Sequence, residues 1–206
     1  MGKAVYIAEK PSVAQEFAKA LKLNTSRKDG YLEAEDAIVT WCVGHLVTMS
    51  YPEAYDEKYK RWSLDTLPFI PETFRYEVIP NVEKQFRIVS TILNRPDVEV
   101  IYVCTDSGRE GEYIYRLVEQ MAGVKGKKRK RVWIDSQTEE EILRGIREAK
   151  DLEEYDNLSA SAYLRAKEDY LMGINFSRLL TLKYGGSISS YLNTKYTGLI
   201  LYFSIA

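Results

Sequence analysis

The 206-residue sequence contains only two cysteines and one histidine. Cys42 and Cys104 both sit in apolar, strand-like runs, and no C-x-x-C pair occurs. That excludes a disulfide framework and a cysteine zinc site, and it fits reduced, buried thiols in a cytoplasmic protein. Charge of one sign is also missing: the formal net charge is −1. Affinity for nucleic acid must therefore come from local clustering. No apolar run approaches the length of a membrane span. The tail "TGLILYFSIA" is apolar but too short to cross a bilayer. The N-terminus reaches Glu9 and Lys10 before any long apolar region, so no signal peptide is expected. The glycines form no G-x-G-x-x-G fingerprint, and no G-K-[S/T] completes a P-loop. A nucleotide cofactor is accordingly not expected.

What is present is an alternation of strands and helices. "KAVYIA" (Lys3 to Ala8) reads as a buried strand. Pro11 then suits the first turn of a helix, and Val13, Phe17, Ala20 and Leu21 recur at helical spacing. "AIVTWCVG" (Ala37 to Gly44) is a second strand and "VEVIYVC" a third, with the helix "VEKQFRIVSTIL" between them. Arg109 to Met121 is the next helix, and "RVWI" reads as a short strand. Thr138 opens a further helix with a T-x-x-E capping box to Glu141. From His45 to Pro80 the chain is irregular and rich in Tyr and Pro, as expected of an ordered excursion over the surface.

This pattern predicts an α/β domain, Rossmann-like, with a largely parallel sheet flanked by helices. It should span residues 1–150. Residues 151–206 read as the start of a different, helical domain. In it, one long helix runs from Asn157 to Tyr184 and stops at Gly185-Gly186.

Three acids stand where strands give way to helices. Glu9 follows the first strand, and Asp106 and Glu110 follow the third within "TDSGREGE". Ligands of parallel α/β sheets collect beyond the carboxyl ends of the strands. If the two strands are neighbours, the carboxylates converge and repel, each raising the others' pKa. Mg²⁺ would relieve that repulsion, often with a substrate phosphate completing its shell. Such a site suits phosphodiester chemistry. The competing reading is structural: Ser107-x-x-Glu110 is itself a capping-box pattern, and Glu112 favours the positive end of a helix dipole. A second charge cluster, "KGKKRKR" (Lys125 to Arg131), carries six positive charges in seven residues. It reads either as a solvated loop or as a salt-sensitive contact with phosphates.

Taken together, "IAEKPSVAQEFAKAL", "VTWCVGHL", "YKRWSLDTLP", "TDSGREGE" and "DYLMGINFSRLL" resemble the type IA DNA topoisomerases, closest to the topoisomerase III branch. The matches occur in order from Ala4 to about Leu180 and cover most of the chain. The resemblance implies that residues 1–150 form a Toprim domain. It implies that the long helix begins the family's domain IV, in a C-terminally truncated chain. It gives Glu9 the role of catalytic acid/base near the metal and Lys10 that of a contact to the scissile phosphate. Asp106 and Glu110 match the first and last acids of the family's D-x-D-x-E motif, with Glu9 completing the Mg²⁺ set. Gly108 replaces the middle acid, which predicts weaker Mg²⁺ affinity.

The implied partner is single-stranded DNA. His45 matches the "GHL" segment near DNA, Arg178 a backbone-contacting arginine and Tyr170 an aromatic contact. Arg61 and Trp62 lie in "KYKRWS", where the indole face offers base stacking worth about 1–3 kcal/mol per base. Read without the resemblance, Trp62 and Tyr170 are core or rim aromatics and His45 a hydrogen-bonded turn residue.

Complete enzymes of this family cleave one DNA strand through a tyrosine and relax negative supercoils. None of the 16 tyrosines here stands in the family's tyrosine-site pattern. The expectation is a chain that binds metal and single-stranded DNA without completing strand passage. A Toprim-type metal-dependent nuclease and a non-catalytic DNA- or partner-binding module are the rival readings.

Overall fold

The computed structural model describes residues 2–195, with side chains through residue 185. The chain divides into two compact units: residues 1–48 with 76–163, and residues 49–75 with those from 164 onward.

The first unit is built on a seven-stranded sheet. Its strands are β1 (Lys3–Ala8), β2 (Ser26–Lys28), β3 (Tyr31–Glu33), β4 (Ala37–Trp41), β7 (Val98–Cys104), β8 (Lys128–Arg131) and β9 (Lys150–Asp151). The spatial order is β2-β3-β4-β1-β7-β8-β9. The four central strands are parallel, while β2–β3, β3–β4 and β8–β9 are antiparallel edges. This is the expected α/β Toprim architecture of a largely parallel sheet flanked by helices. The chain leaves this unit through β5 (Val47–Met49) and returns through β6 (Tyr76–Val78), which pair with each other.

Period-two alternation divides the core. Tyr6 and Ala8 of β1 face one side, where they join Val13 and Phe17 of α1 (Pro11–Ala20), Val39 of β4 and Ile142 of α4 (Glu139–Arg147). Burying a side chain such as Phe17 stabilises by about 1.5–3 kcal/mol. Val5, Ile7, Ile101 and Val103 are fully buried on the opposite face. The amphipathic helices α2 (Glu83–Leu93) and α3 (Arg109–Ala122) pack against one another and bury Val89, Leu93, Leu117 and Val118. Pro11 stands in the first turn of α1 as its fixed φ favours, and Gly123 ends α3 in the left-handed conformation.

Two sequence expectations are corrected. The strand is not "RVWI" but Lys128–Arg131, the end of the basic run. Lys127, Arg129, Lys130 and Arg131 each meet a carboxylate or carbonyl, so most of the run is not a solvated loop, while Lys125 and Lys128 are exposed. The long helix α5 (Asp156–Lys195) passes through Gly185-Gly186 instead of stopping there. Each interior glycine costs a helix only about 1 kcal/mol, which a long helix tolerates.

In the second unit, segment 49–75 is fastened to α5 by side chains. Asn175 accepts from the Phe69 N–H (2.6 Å) and donates to the Phe69 carbonyl (2.9 Å). The Tyr170 hydroxyl donates to the Ser50 carbonyl at 2.7 Å. Phe69, buried among Tyr55, Tyr59 and Tyr170, anchors the segment. The excursion is thus ordered, as expected, but it clusters with α5 and not with the sheet.

Candidate active site

β1 and β7 are adjacent and in register, with Ala8 opposite Cys104. The residues that follow each strand therefore meet, although 97 positions separate Glu9 from Asp106. Strand order reverses here: β4 lies on one side of β1 and β7 on the other. This is a topological switch point, where parallel sheets leave a crevice at their carboxyl ends.

Glu9 is buried, and its Oε2 accepts the Asp106 N–H at 3.2 Å. Burial holds its carboxyl above the ordinary value of 4.5, and the Asp106 carboxylate adds to this. The hydrogen bond from Asp106 and the nearby Lys10 charge oppose the rise, while Glu110 reinforces it. Glu9 thus senses both other acids. Lys10 and Asp106 are exposed. The Glu110 Oε1 lies 2.5 Å from His45 Nε2, and the His45 ring meets Tyr113 edge-on at 6.1 Å. Beneath the crevice, burial pushes the Cys42 thiol up to about 12, with the Glu9 charge adding to the shift.

Among the described residues, no three His, Cys, Asp or Glu side chains are already gathered to hold a metal ion. The capping box expected of Ser107 and Glu110 is not formed. The N-cap of α3 is Gly108, without a side-chain cap. Ser107 is engaged elsewhere: its Oγ donates to the Ile134 carbonyl (2.8 Å) and accepts the Ile134 N–H (2.9 Å). At Thr138 the cap is half made, since its Oγ1 accepts the Glu141 N–H while Glu141 reaches Asp135 and Arg144.

The other predicted residues belong to the second unit. Trp62 is exposed, with the Arg178 guanidinium 5.2 Å from its ring centroid. Arg178 is buried, donates to the Tyr59 carbonyl at 3.1 Å and lies 3.6 Å from Glu53. Burial holds it below the usual arginine range. Among the described residues its Nε has no hydrogen-bond partner. Arg61 is exposed beside Trp62. Tyr170 is half-buried against Phe69 and Phe74.

Sequence reasoning missed Arg131 and Glu112. Both are fully buried and joined at 2.9 Å. Arg131 also donates to the carbonyls of Val103, Thr105, Val132 and Asp106. Its presence in a basic run concealed it, because a one-dimensional count cannot distinguish a buried cation from a solvated one.

A family model described as "Toprim domain" matches residues 4–136. Among curated proteins, the DNA topoisomerase 3 of Bacillus subtilis (strain 168) is 43% identical over 189 residues. Those of Bacillus thuringiensis (strain Al Hakam) and Bacillus anthracis are each 44% identical over 189 residues. Each alignment covers 92% of this chain but 26% of the relative. The chain therefore spans about a quarter of the length of the curated relatives it matches.

Proposed function

This chain belongs to the Toprim family, on the type IA, topoisomerase III branch, and from that premise we propose that it is the acid-bearing, single-strand-binding portion of such a DNA topoisomerase. In this reading residues 1–150 are the Toprim domain and 151–206 begin the helical domain. The complete enzyme cleaves and rejoins one strand of DNA in the cytoplasm, relaxing negative supercoils. The chain itself binds Mg²⁺ and single-stranded DNA without completing strand passage.

One observation carries the proposal: Glu9 and Asp106 are joined at the carboxyl ends of adjacent strands, with Glu110 close enough to disturb Glu9. Mutually repelling carboxylates are the donor set a hard cation requires. Mg²⁺ commonly takes one or two carboxylates and keeps its waters, so three gathered ligands are not needed beforehand. Asp106 and Glu110 are the ligands in this reading, with Glu9 beside them. When bound, Mg²⁺ would neutralise charge on a phosphate. Glu9, with its raised pKa, holds a proton more readily than an ordinary glutamate and suits transfer to or from a phosphodiester oxygen. Exposed Lys10 supplies charge to the scissile phosphate. His45 holds Glu110, and its release would accompany metal entry or DNA contact. Trp62, Arg61, Tyr170 and Arg178 form the single-strand contact.

Calorimetric titration of the protein with Mg²⁺, with and without a short oligothymidylate, tests this reading. Binding lost in Asp106→Asn is expected. Metal-independent binding of the oligonucleotide would favour the non-catalytic module. Mg²⁺-dependent nicking abolished by Glu9→Gln would favour the nuclease. Relaxation of a supercoiled plasmid by this chain would overturn the proposed division of labour.

A further inference from the structure

We propose that Arg131 is a positioning residue that sets the place of Asp106, and through it the geometry of the acidic site. This rests on the metal reading above. The Asp106 peptide is held at both ends and on one side. Its N–H is taken by Glu9, and its carbonyl accepts from Arg131 Nη2 at 2.7 Å. On the third side, a Cβ at Gly111 would stand 2.1 Å from the Asp106 oxygen, so only glycine permits the α3 backbone to come this close. Arg131 also holds the preceding residue, through the Thr105 carbonyl at 2.8 Å. Two positions along, Ser107 is fixed to Ile134, three residues beyond Arg131.

The acid loop thus lies on segment 131–134 as on a template. The planar guanidinium suits this task, because it presents five donors in a fixed fork, whereas an ammonium presents a point charge. Glu112 keeps the buried cation neutralised through Arg131 Nε. Arg116, on the other Glu112 oxygen, ties the same pair to the Leu152 carbonyl. None of these groups touches the exposed carboxylate of Asp106. They fix its backbone, as outer partners of a metal site commonly do.

Two variants separate positioning from simple charge balance. Arg131→Lys keeps a cation for Glu112 but loses the fork. The double variant Arg131→Met with Glu112→Leu removes both charges, and Arg116 keeps Asp156 as its counter-charge at 2.9 Å, so no unpaired ion is left. Circular dichroism establishes that each is folded. Mn²⁺ titration by calorimetry should show affinity falling about tenfold or more in both. Amide hydrogen exchange at residues 105–107 should accelerate in both, with no metal present. A folded variant with parental Mn²⁺ affinity and parental exchange at these amides would overturn the proposal. A parent that bound no Mn²⁺ would defeat the metal reading instead. The exchange readout would still report whether Arg131 holds the loop.

Discussion

The acid loop after β7 and the basic run along β8 lie side by side in the sheet, and the fold treats their charges in opposite ways. Each cation of the strand and its approach that faces the protein is matched. Lys127 donates to the carbonyls of Arg95 and Val98, Arg129 pairs with Glu119 and Glu153, Lys130 with Asp151, and Arg131 with Glu112. The acids receive less. Glu9 is buried, accepts one backbone N–H and feels the charges of Asp106 and Glu110 with Lys10 alone opposing them, while Glu110 meets His45. Four of the six bases in the run are tied into the structure, while Glu9 still feels the charge of two other acids. Density of charge along the chain is therefore a poor guide to function. Charge left uncompensated in space is a better one, because a fold tolerates such a cost mainly where a ligand relieves it.

The largest break in this contrast should come from Glu112→Gln. It leaves Arg131 buried without a counter-charge, and chemical denaturation should show a loss of about 3–5 kcal/mol. Gly111→Ala should follow at about 1–3 kcal/mol, since the Asp106 backbone must move to admit a methyl group. The same substitution should weaken Mn²⁺ binding, which calorimetry would measure.

Gly108→Asp should sharpen the contrast from the acidic side. The backbone there is extended, with φ 161°, and a Cβ meets nothing within 4 Å. Stability should change little, and Mg²⁺ should bind severalfold more tightly. An unchanged titration curve would remove the claim that the missing acid weakens the site.

Glu9→Gln should have a smaller, pH-dependent effect. The folded-state pKa of Glu9 lies above 4.5, so ionisation is penalised in the fold. Below about pH 4.5 the group is protonated in both states and the penalty vanishes. It grows as pH rises above 4.5 and is complete once pH passes the folded value. In metal-free buffer, the variant should melt above the parent at pH 7 and level with it in acid, which thermal melts across this pH range would measure. The smallest effect belongs to Lys130→Gln. Loss of its solvent-screened pair with Asp151 should leave the denaturation midpoint nearly unchanged. The salt dependence of oligonucleotide binding should not change, because that ammonium is already committed.

Much of the first unit was legible in the chain. β1, β4 and β7 are short apolar runs, and α1 to α4 carry apolar residues at helical spacing, since a sheet covered on both faces demands both patterns. The edge strands β2, β3 and β9 were not visible, being short and half-polar or exposed. β8 was misplaced by three residues, because its charges suggest solvent until their partners are known. Segment 49–75 carries no period at all. Its order comes from Phe69, Asn175 and Tyr170, contacts made by residues more than a hundred positions apart.

The sequence alone determined the α/β layering, the family resemblance and the identity of the acids, because these depend on residue type and on local periodicity. Only the tertiary structure decided which charges are compensated. It set Glu9 against Asp106, gave Ser107 to Ile134 and buried Arg131 beneath the acid loop. Pairing of charges depends on which strands become neighbours, and that is fixed by the packing of the whole sheet, not by any stretch of chain within it.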